Sequence, residues 1–282
     1  MLSRREWLVG MGLAGMAMSA PPRQFSFGCQ TNAWPVNPAD RDTLFSAIHK
    51  IGALGYSGFE TGFRNLQVAK EQLAEVKQRI ADSGLTFYGI HIFLGKYDEQ
   101  SHIAPHALYE AVGQIGAALG AQRLILSGGP AAADADLARK SAALNQAGAF
   151  AKGLGLSLAY HNHWPEFDNG GREIHALLQD TDPSLVGFLL DAGHAFRIGA
   201  DVPAFVAANH ARLVGLHLRD FAAKKQVPLG QGEFPLQQVA AALKHVNWQG
   251  WALAEEERED GSKPGEAAAG PALAALRRAF GA

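Results

Sequence analysis

The chain has one cysteine, Cys29, in 282 residues, so no intrachain disulfide can brace the fold. It also lacks an excess of either charge. A net charge of −2 and a pI near 6.6 leave no basic stripe for nucleic acid or for an anionic membrane surface. No internal segment is rich enough in Pro, Ser or charge to act as a linker, which favours one large domain over two small ones. A dinucleotide fingerprint is missing too: the first strand-like run leads into Gln30-Thr31-Asn32-Ala33-Trp34-Pro35, with no G-x-G-x-x-G. Cys29 follows Phe27-Gly28 in an apolar run and reads as a buried structural thiol rather than a nucleophile.

The N-terminus stands apart. Ser3-Arg4-Arg5-Glu6-Trp7-Leu8 sets two arginines before an apolar stretch, residues 8–20, that is too short to span a bilayer and ends in small residues before Pro21-Pro22. This resembles a twin-arginine export signal. Residues 1–22 are expected to be that signal and residues 23–282 the working domain. The expected location is the periplasm, with no stable membrane association once the signal is removed. A single cysteine agrees with a protein that folds before export.

What remains is a repeat of short apolar runs and helical patterns. Strand-like runs occupy residues 25–31, 56–60, 85–91, 122–127, 156–161, 186–191, 213–217 and 251–255. The intervals carry helical spacing, such as Leu44, Ile48 and Ile51, or Leu108, Val112, Ile115 and Leu119. Asp40 marks a helix start, and Gly52 and Gly55 its end. Eight strand and helix units of this spacing fit a closed (β/α)₈ barrel, a TIM barrel, better than an open sheet. In such a barrel all strand ends meet at one mouth, so the metal-binding groups that end the runs 156–163, 186–194, 213–220 and 251–257 become neighbours and read as one metal site. Asn32, Glu60 and His91 end the first three strands in the same register and read as pocket lining. Glu257 shares the face of Glu255 by period-two alternation, whereas Glu256 points outward.

Six pieces in order carry a resemblance. They are Gly55-Tyr56-Ser57-Gly58-Phe59-Glu60; Tyr160-His161-Asn162-His163 with Glu166-Phe167 behind it; Asp191-Ala192-Gly193-His194; His217-Leu218-Arg219-Asp220; Leu229-Gly230-Gln231-Gly232-Glu233; and Gly250-Trp251 leading to Glu255. Over about residues 25–260 the chain resembles the sugar phosphate isomerase and epimerase superfamily of xylose isomerase-like barrels. Members hold one divalent ion with Glu, Asp, His and Glu from the fifth to eighth strands. The resemblance implies that Asp191, His217 and Glu255 are the last three ligands. At the first position many relatives have Glu-Asn-His, and this chain has His161-Asn162-His163, as in the inosose dehydratase-like branch. The fourth ligand is then either His161 or Glu166 reaching in from the loop.

A Mn²⁺, Mg²⁺, Co²⁺ or Zn²⁺ ion in a mixed carboxylate and imidazole site leaves positions for two substrate oxygens, and so suits enolisation next to a carbonyl. Glu255, Glu257 and His163 are the candidate acid and base groups. His194 is expected to contact Asp191 or substrate. Arg219 suits substrate binding more than proton transfer, and Asp220 is expected to pair with it. Gly230-Gln231-Gly232 reads as a tight turn near the mouth. Trp34, Trp164 and Phe93 fall on loops where aromatic faces stack on sugars. The expected function is a metal-dependent sugar isomerase or epimerase working through an enediolate. The alternatives are a lyase or dehydratase acting on 3-keto sugars, 3-keto glycosides or an inosose, and a non-catalytic sugar-binding barrel. The expected partner is a small carbohydrate, with homo-oligomer formation left open. An endonuclease is disfavoured by the lack of a basic stripe and by a single metal site.

Overall fold

A computed structural model describes residues 24–68, 70–223 and 225–281; the expected export signal, residues 1–22, lies outside them. Its strands are β1 (Phe25–Gln30), β2 (Gly58–Gly62), β3 (Thr86–Ile92), β4 (Arg123–Ser127), β5 (Ser157–His161), β6 (Val186–Asp191) and β7 (Leu213–Leu218). A two-stranded hairpin follows, β8 (Asp220–Ala222) and β9 (Lys225–Val227), and then β10 (Gly250–Ala254). β1 to β7 and β10 are parallel and close into a barrel in chain order, with β10 returning to β1. All eight expected strands are present, and the expected barrel is the fold.

The helices are α1 (Arg41–Leu54), α2 (Leu73–Asp82), α3 (His106–Leu119), α4 (Asp134–Gly153), α5 (Asp168–Asp180), α6 (Ala192–Arg197), α7 (Val202–Asn209), α8 (Leu236–His245) and α9 (Glu266–Phe280). α1 shows why they form. Leu44, Ala47, Ile48 and Ile51 recur at helical spacing and are buried. The Asp40 carboxylate accepts the Asp42 amide at the start, and Gly55 ends the helix at φ +94°, a conformation that favours glycine.

Inside the barrel, Tyr88, Ile125, Ala159, Leu189 and Leu253 form a fully buried apolar plug. Above it each barrel strand, or for β10 the residue just after it, contributes one polar side chain: Gln30, Glu60, His91, Ser127, His161, Asp191, His217 and Glu255, all buried. Strict alternation along β3 would not place both Tyr88 and His91 inside. An irregularity does so: Phe59 pairs with Phe87 but Glu60 with Gly89, so Tyr88 is an extra residue and His91 turns inward.

The hairpin was not expected, and it corrects two expectations. Asp220 does not pair with Arg219; its carboxylate accepts the backbone N–H groups of Phe221, Gly230, Gly232 and Phe234. The two glycine amides of the Gly230-Gln231-Gly232 turn are therefore directed at this buried carboxylate rather than at the mouth, and the Gln231 amide donates to the Pro228 carbonyl. A Cβ at Gly232 would stand 2.3 Å from Asp220 Oδ1, so the close approach requires glycine there.

Candidate metal centre

Four of the eight ring residues offer free donor atoms to one point. The ligand atoms of His161, Asp191, His217 and Glu255 all lie within 4.8 Å of one another, and all four residues are buried. Donors that share one ion at roughly 2.0–2.3 Å would be about 3–4 Å apart. His161 Nε2 lies 3.7 Å from Asp191 Oδ2 and 3.8 Å from Glu255 Oε2. His161 Nε2, Asp191 Oδ2, His217 Nδ1 and Glu255 Oε2 are all buried without a hydrogen-bond partner. His217 Nδ1 and Glu255 Oε2 approach to 2.7 Å, yet without hydrogen-bond geometry. The Arg219 guanidinium balances the two carboxylate oxygens from one side, but two imidazole nitrogens and two carboxylate oxygens still converge on one buried point, so the donor set fits a divalent ion.

Local structure aims each donor. Asp191 caps α6: its Oδ1 accepts the His194 amide at 2.8 Å, which leaves Oδ2 facing the centre. Asn162 fixes the end of β6 by accepting the Asp191 amide and donating to the Asp191 carbonyl. Glu60 Oε2 lies 2.7 Å from His217 Nε2, which frees Nδ1.

The electrostatics separate the groups. Burial would raise Glu255, but Arg219 and His217 override it and hold its carboxyl well below the usual range. Burial pushes Asp191 up to about 6, against the pull of Arg219. At His217 burial is overridden by Glu60 and Glu255, which raise it well above the usual imidazole value. An imidazole between two carboxylates is thus a place that draws positive charge. Burial lowers His161 and His194 to about 3 each, and burial with neighbouring His161 lowers His163 far below the ordinary value. These three rings are neutral at neutral pH, which leaves His161 a lone pair to donate.

The next layer, two or three residues further along each strand, lines a cavity of about 470 Å³ above the four donors. Asn32, Phe93, His163, His194, Arg219 and Glu257 face it. Asn32 Nδ2 donates to both Glu255 Oε1 (3.2 Å) and Glu257 Oε2 (3.1 Å), which confirms the shared face of the two glutamates. Glu256 points outward, to the Leu229 amide and Arg258. Arg219 lies 3.0 Å from Asp191 and 2.6 Å from Glu255 and reaches Glu257 at 3.3 Å, so it spans the carboxylates. Gly193 makes room for it: a Cβ there would lie 2.2 Å from Arg219 Cγ. Asn32 Oδ1 and His194 Nδ1 are buried and without partners, two atoms available to a hydroxylated ligand. Trp34 is buried in the cavity wall, its indole N–H donated to Glu266, while Phe93 is exposed at the rim beside His163.

Three expected substrate contacts are corrected. Glu60 is 0% exposed with both oxygens bonded, so it supports the centre from below instead of lining the pocket. Glu166 does not reach in; its oxygens take the Tyr160 hydroxyl and the His163 amide, 3.8 Å from buried Lys140. His161 is accordingly the fourth donor of the cluster. Trp164 is 46% exposed and stands off the cavity, because its loop carries it outward over the 3-10 turn at Pro165–Phe167. His91 keeps its place on the cavity floor, with both ring nitrogens engaged. Sequence reasoning missed Gln30 and Ser127, although each is the last residue of its strand, as His161 and Asp191 are of theirs.

Comparison with known proteins fits this geometry. Inosose dehydratase from Lactiplantibacillus plantarum is 30% identical over a match that covers 41% of this chain and 45% of that relative. Thus the chain spans less than half of that relative's length. Inosose dehydratase from Mesomycoplasma hyopneumoniae (strain 7448) is 25% identical over 76% of this chain and 81% of the relative. Among solved structures, a sugar phosphate isomerase/epimerase from Parabacteroides distasonis superposes with a TM-score of 0.71 at 19% identity, covering 94% of this chain and 99% of that one, a likeness of fold. The family model described as xylose isomerase-like TIM barrel matches residues 48–279, nearly the whole barrel with its site. The chain belongs to the xylose isomerase-like TIM barrel family.

Proposed function

We propose that the protein is a divalent-metal-dependent sugar isomerase or epimerase that works through an enediolate. The observation that carries the reading is the set of four converging donors, His161 Nε2, Asp191 Oδ2, His217 Nδ1 and Glu255 Oε2, at the floor of a sugar-sized cavity. A divalent ion held there would polarise a carbonyl and its neighbouring hydroxyl and take up charge as the adjacent C–H bond ionises. The chain's own groups do the rest. Glu255, ionised and directed at the cavity, takes the proton. Arg219 holds the oxygens that become negative, and Asn32 Oδ1 and His194 Nδ1 orient hydroxyls. Glu257, held by Asn32 and Arg219, is the second carboxylate on that wall.

A second reading, a lyase or dehydratase on 3-keto sugars, 3-keto glycosides or an inosose, draws on one feature. The donor on β5 is an imidazole, so Glu255 is the cluster's one glutamate and has to serve as both base and acid. The proton that Glu255 takes in forming the enediolate can be handed on to the leaving oxygen, so one carboxyl suffices for β-elimination. The two inosose dehydratase relatives agree with it. Periplasmic export through residues 1–22 belongs to the same proposal and rests on Arg4-Arg5 and the short apolar stretch behind them.

Proton NMR in deuterated water over aldoses, ketoses and 3-keto glycosides tests the reading. Deuterium is expected at a carbon next to the carbonyl, with an epimer or isomer as product; an enone product selects the lyase. Sugar binding without exchange on any member of the panel contradicts both and leaves a binding barrel.

A further inference from the structure

Beneath the four donors runs a chain of hydrogen bonds with one carboxylate in it. Glu60 Oε2 meets His217 Nε2 at 2.7 Å. Glu60 Oε1 meets His91 Nδ1 at 3.1 Å and accepts from Gln30 Nε2 at 2.9 Å. His91 Nε2 meets Ser127 Oγ at 2.8 Å, and Ser127 Oγ meets His161 Nδ1 at 3.4 Å. Gln30, Glu60, His91, Ser127, His161 and His217 are all buried, so water does not supply alternative partners.

We infer that Glu60 is a positioning residue that sets the ring protons of both imidazole donors, His217 directly and His161 through His91 and Ser127. The argument is one of donor counting. An ionised carboxylate only accepts, so His217 holds a proton on Nε2 whether the ring is neutral or charged, and Nδ1 is the nitrogen left to give its lone pair to an ion at the centre. On the other side His91 donates from Nδ1, so its Nε2 is an acceptor. The Ser127 hydroxyl has one hydrogen and gives it to that nitrogen. It can then only accept from His161, whose proton is therefore on Nδ1 and whose lone pair is on Nε2, facing Asp191 and Glu255. One anion thus leaves both lone pairs aimed at the same point.

The inference is sharpest for Glu60→Gln. A glutamine amide has an acceptor end and a donor end, and Glu60 faces donors on both sides. If the amide nitrogen faces His217, that ring must accept at Nε2, and its proton moves to Nδ1. If it faces His91, the whole chain reverses: His91 donates to Ser127, Ser127 donates to His161 Nδ1, and the proton of His161 moves to Nε2. Either orientation blocks one donor nitrogen.

The consequence for metal binding rests on the proposed metal centre; the proton positions do not. The experiment is ¹⁵N NMR of histidine-labelled full-length protein without metal, for wild type, Glu60→Gln and Ser127→Ala, followed by competition measurements with Zn²⁺ alone. Wild type is expected to show protons on His217 Nε2 and His161 Nδ1, with one of the two missing in Glu60→Gln. Ser127→Ala, a smaller change that keeps the packing, is expected to release the His161 proton and leave that of His217. Zn²⁺ affinity is expected to fall about 10- to 100-fold in Glu60→Gln. A wild-type His161 protonated at Nε2, or both protons unmoved in either variant, overturns the inference. If wild type binds no Zn²⁺ but the protons behave as stated, the metal centre fails and the positioning role stands. If Zn²⁺ binds while the protons do not behave so, the reverse holds.

Discussion

Glu255→Gln is expected to lower kcat by about 10²- to 10⁴-fold, the usual contribution of a positioned base, with the fold unchanged. The substitution keeps size and shape, and the amide oxygen can still accept from Asn32. What it removes is the negative charge. That charge is held in place by Arg219 and His217, which keep the carboxyl ionised against its burial. Loss of turnover should be accompanied by loss of solvent deuterium entering the substrate, because proton removal itself is the step affected. The matching change Glu257→Gln tests the second carboxylate: an isomerase of the kind proposed loses exchange there as well. Steady-state kinetics with circular dichroism as a control for folding checks both. Retention of wild-type kcat by Glu255→Gln would remove Glu255 from the proton-transfer step.

The largest effect on stability is expected at a residue that touches no ligand. Lys140, on α4, is 0% exposed and lies in the layer between barrel and helices. Its ammonium donates to the Gly129 carbonyl and to Glu173 on α5, stands 3.8 Å from Glu166, and lies over the Tyr160 ring. Glu173 in turn accepts the Ala131 amide, and Glu166 accepts the His163 amide. One buried cation therefore ties together the segments after β4 and β5. Removing it strands two buried carboxylates. Burial already pushes Glu166 above the ordinary carboxylate value, and Lys140 is the largest influence opposing that rise. Breaking a buried pair from one side costs about 3–5 kcal/mol, so Lys140→Met should lower the urea midpoint by that equivalent with an unchanged denaturant slope. A loss below about 1 kcal/mol would mean that the carboxylates find protons or water at little cost.

The barrel was legible in the chain because parallel strands buried on both faces read as short apolar runs, each followed by a helical stripe with its own caps. β1, β4, β6 and β7 lie within a residue of where their runs predict them. The four donors were legible for the same reason: each stands at or just after the end of such a run. Three kinds of information were not local. The extra residue at Tyr88 reverses the alternation along β3, and nothing in the sequence Thr86–Ile92 announces it. Glu60 ends its apolar run as Glu255 does, yet it stands in the middle of β2 and faces His91 and His217 below the pocket, a difference of depth in the barrel that the runs alone do not encode. Glu166 follows a histidine-rich run and looked free to reach the centre; it is claimed by Tyr160 and Lys140, which approach from other elements. Asp220 likewise sits beside Arg219 in sequence, but its neighbours in space are the four amides that it accepts.

The account stands most directly on the metal content of the mature protein, measured by elemental analysis in wild type and in the single variants His161→Ala, Asp191→Ala and His217→Ala. Wild type should carry one equivalent of a divalent ion per chain, and two imidazoles with two carboxylates should favour Zn²⁺, Co²⁺ or Mn²⁺ over Mg²⁺. Each variant should lose most of that ion under the same dialysis while keeping its secondary structure. A wild-type protein that takes up no ion, or three variants that retain it as wild type does, would contradict the proposed centre.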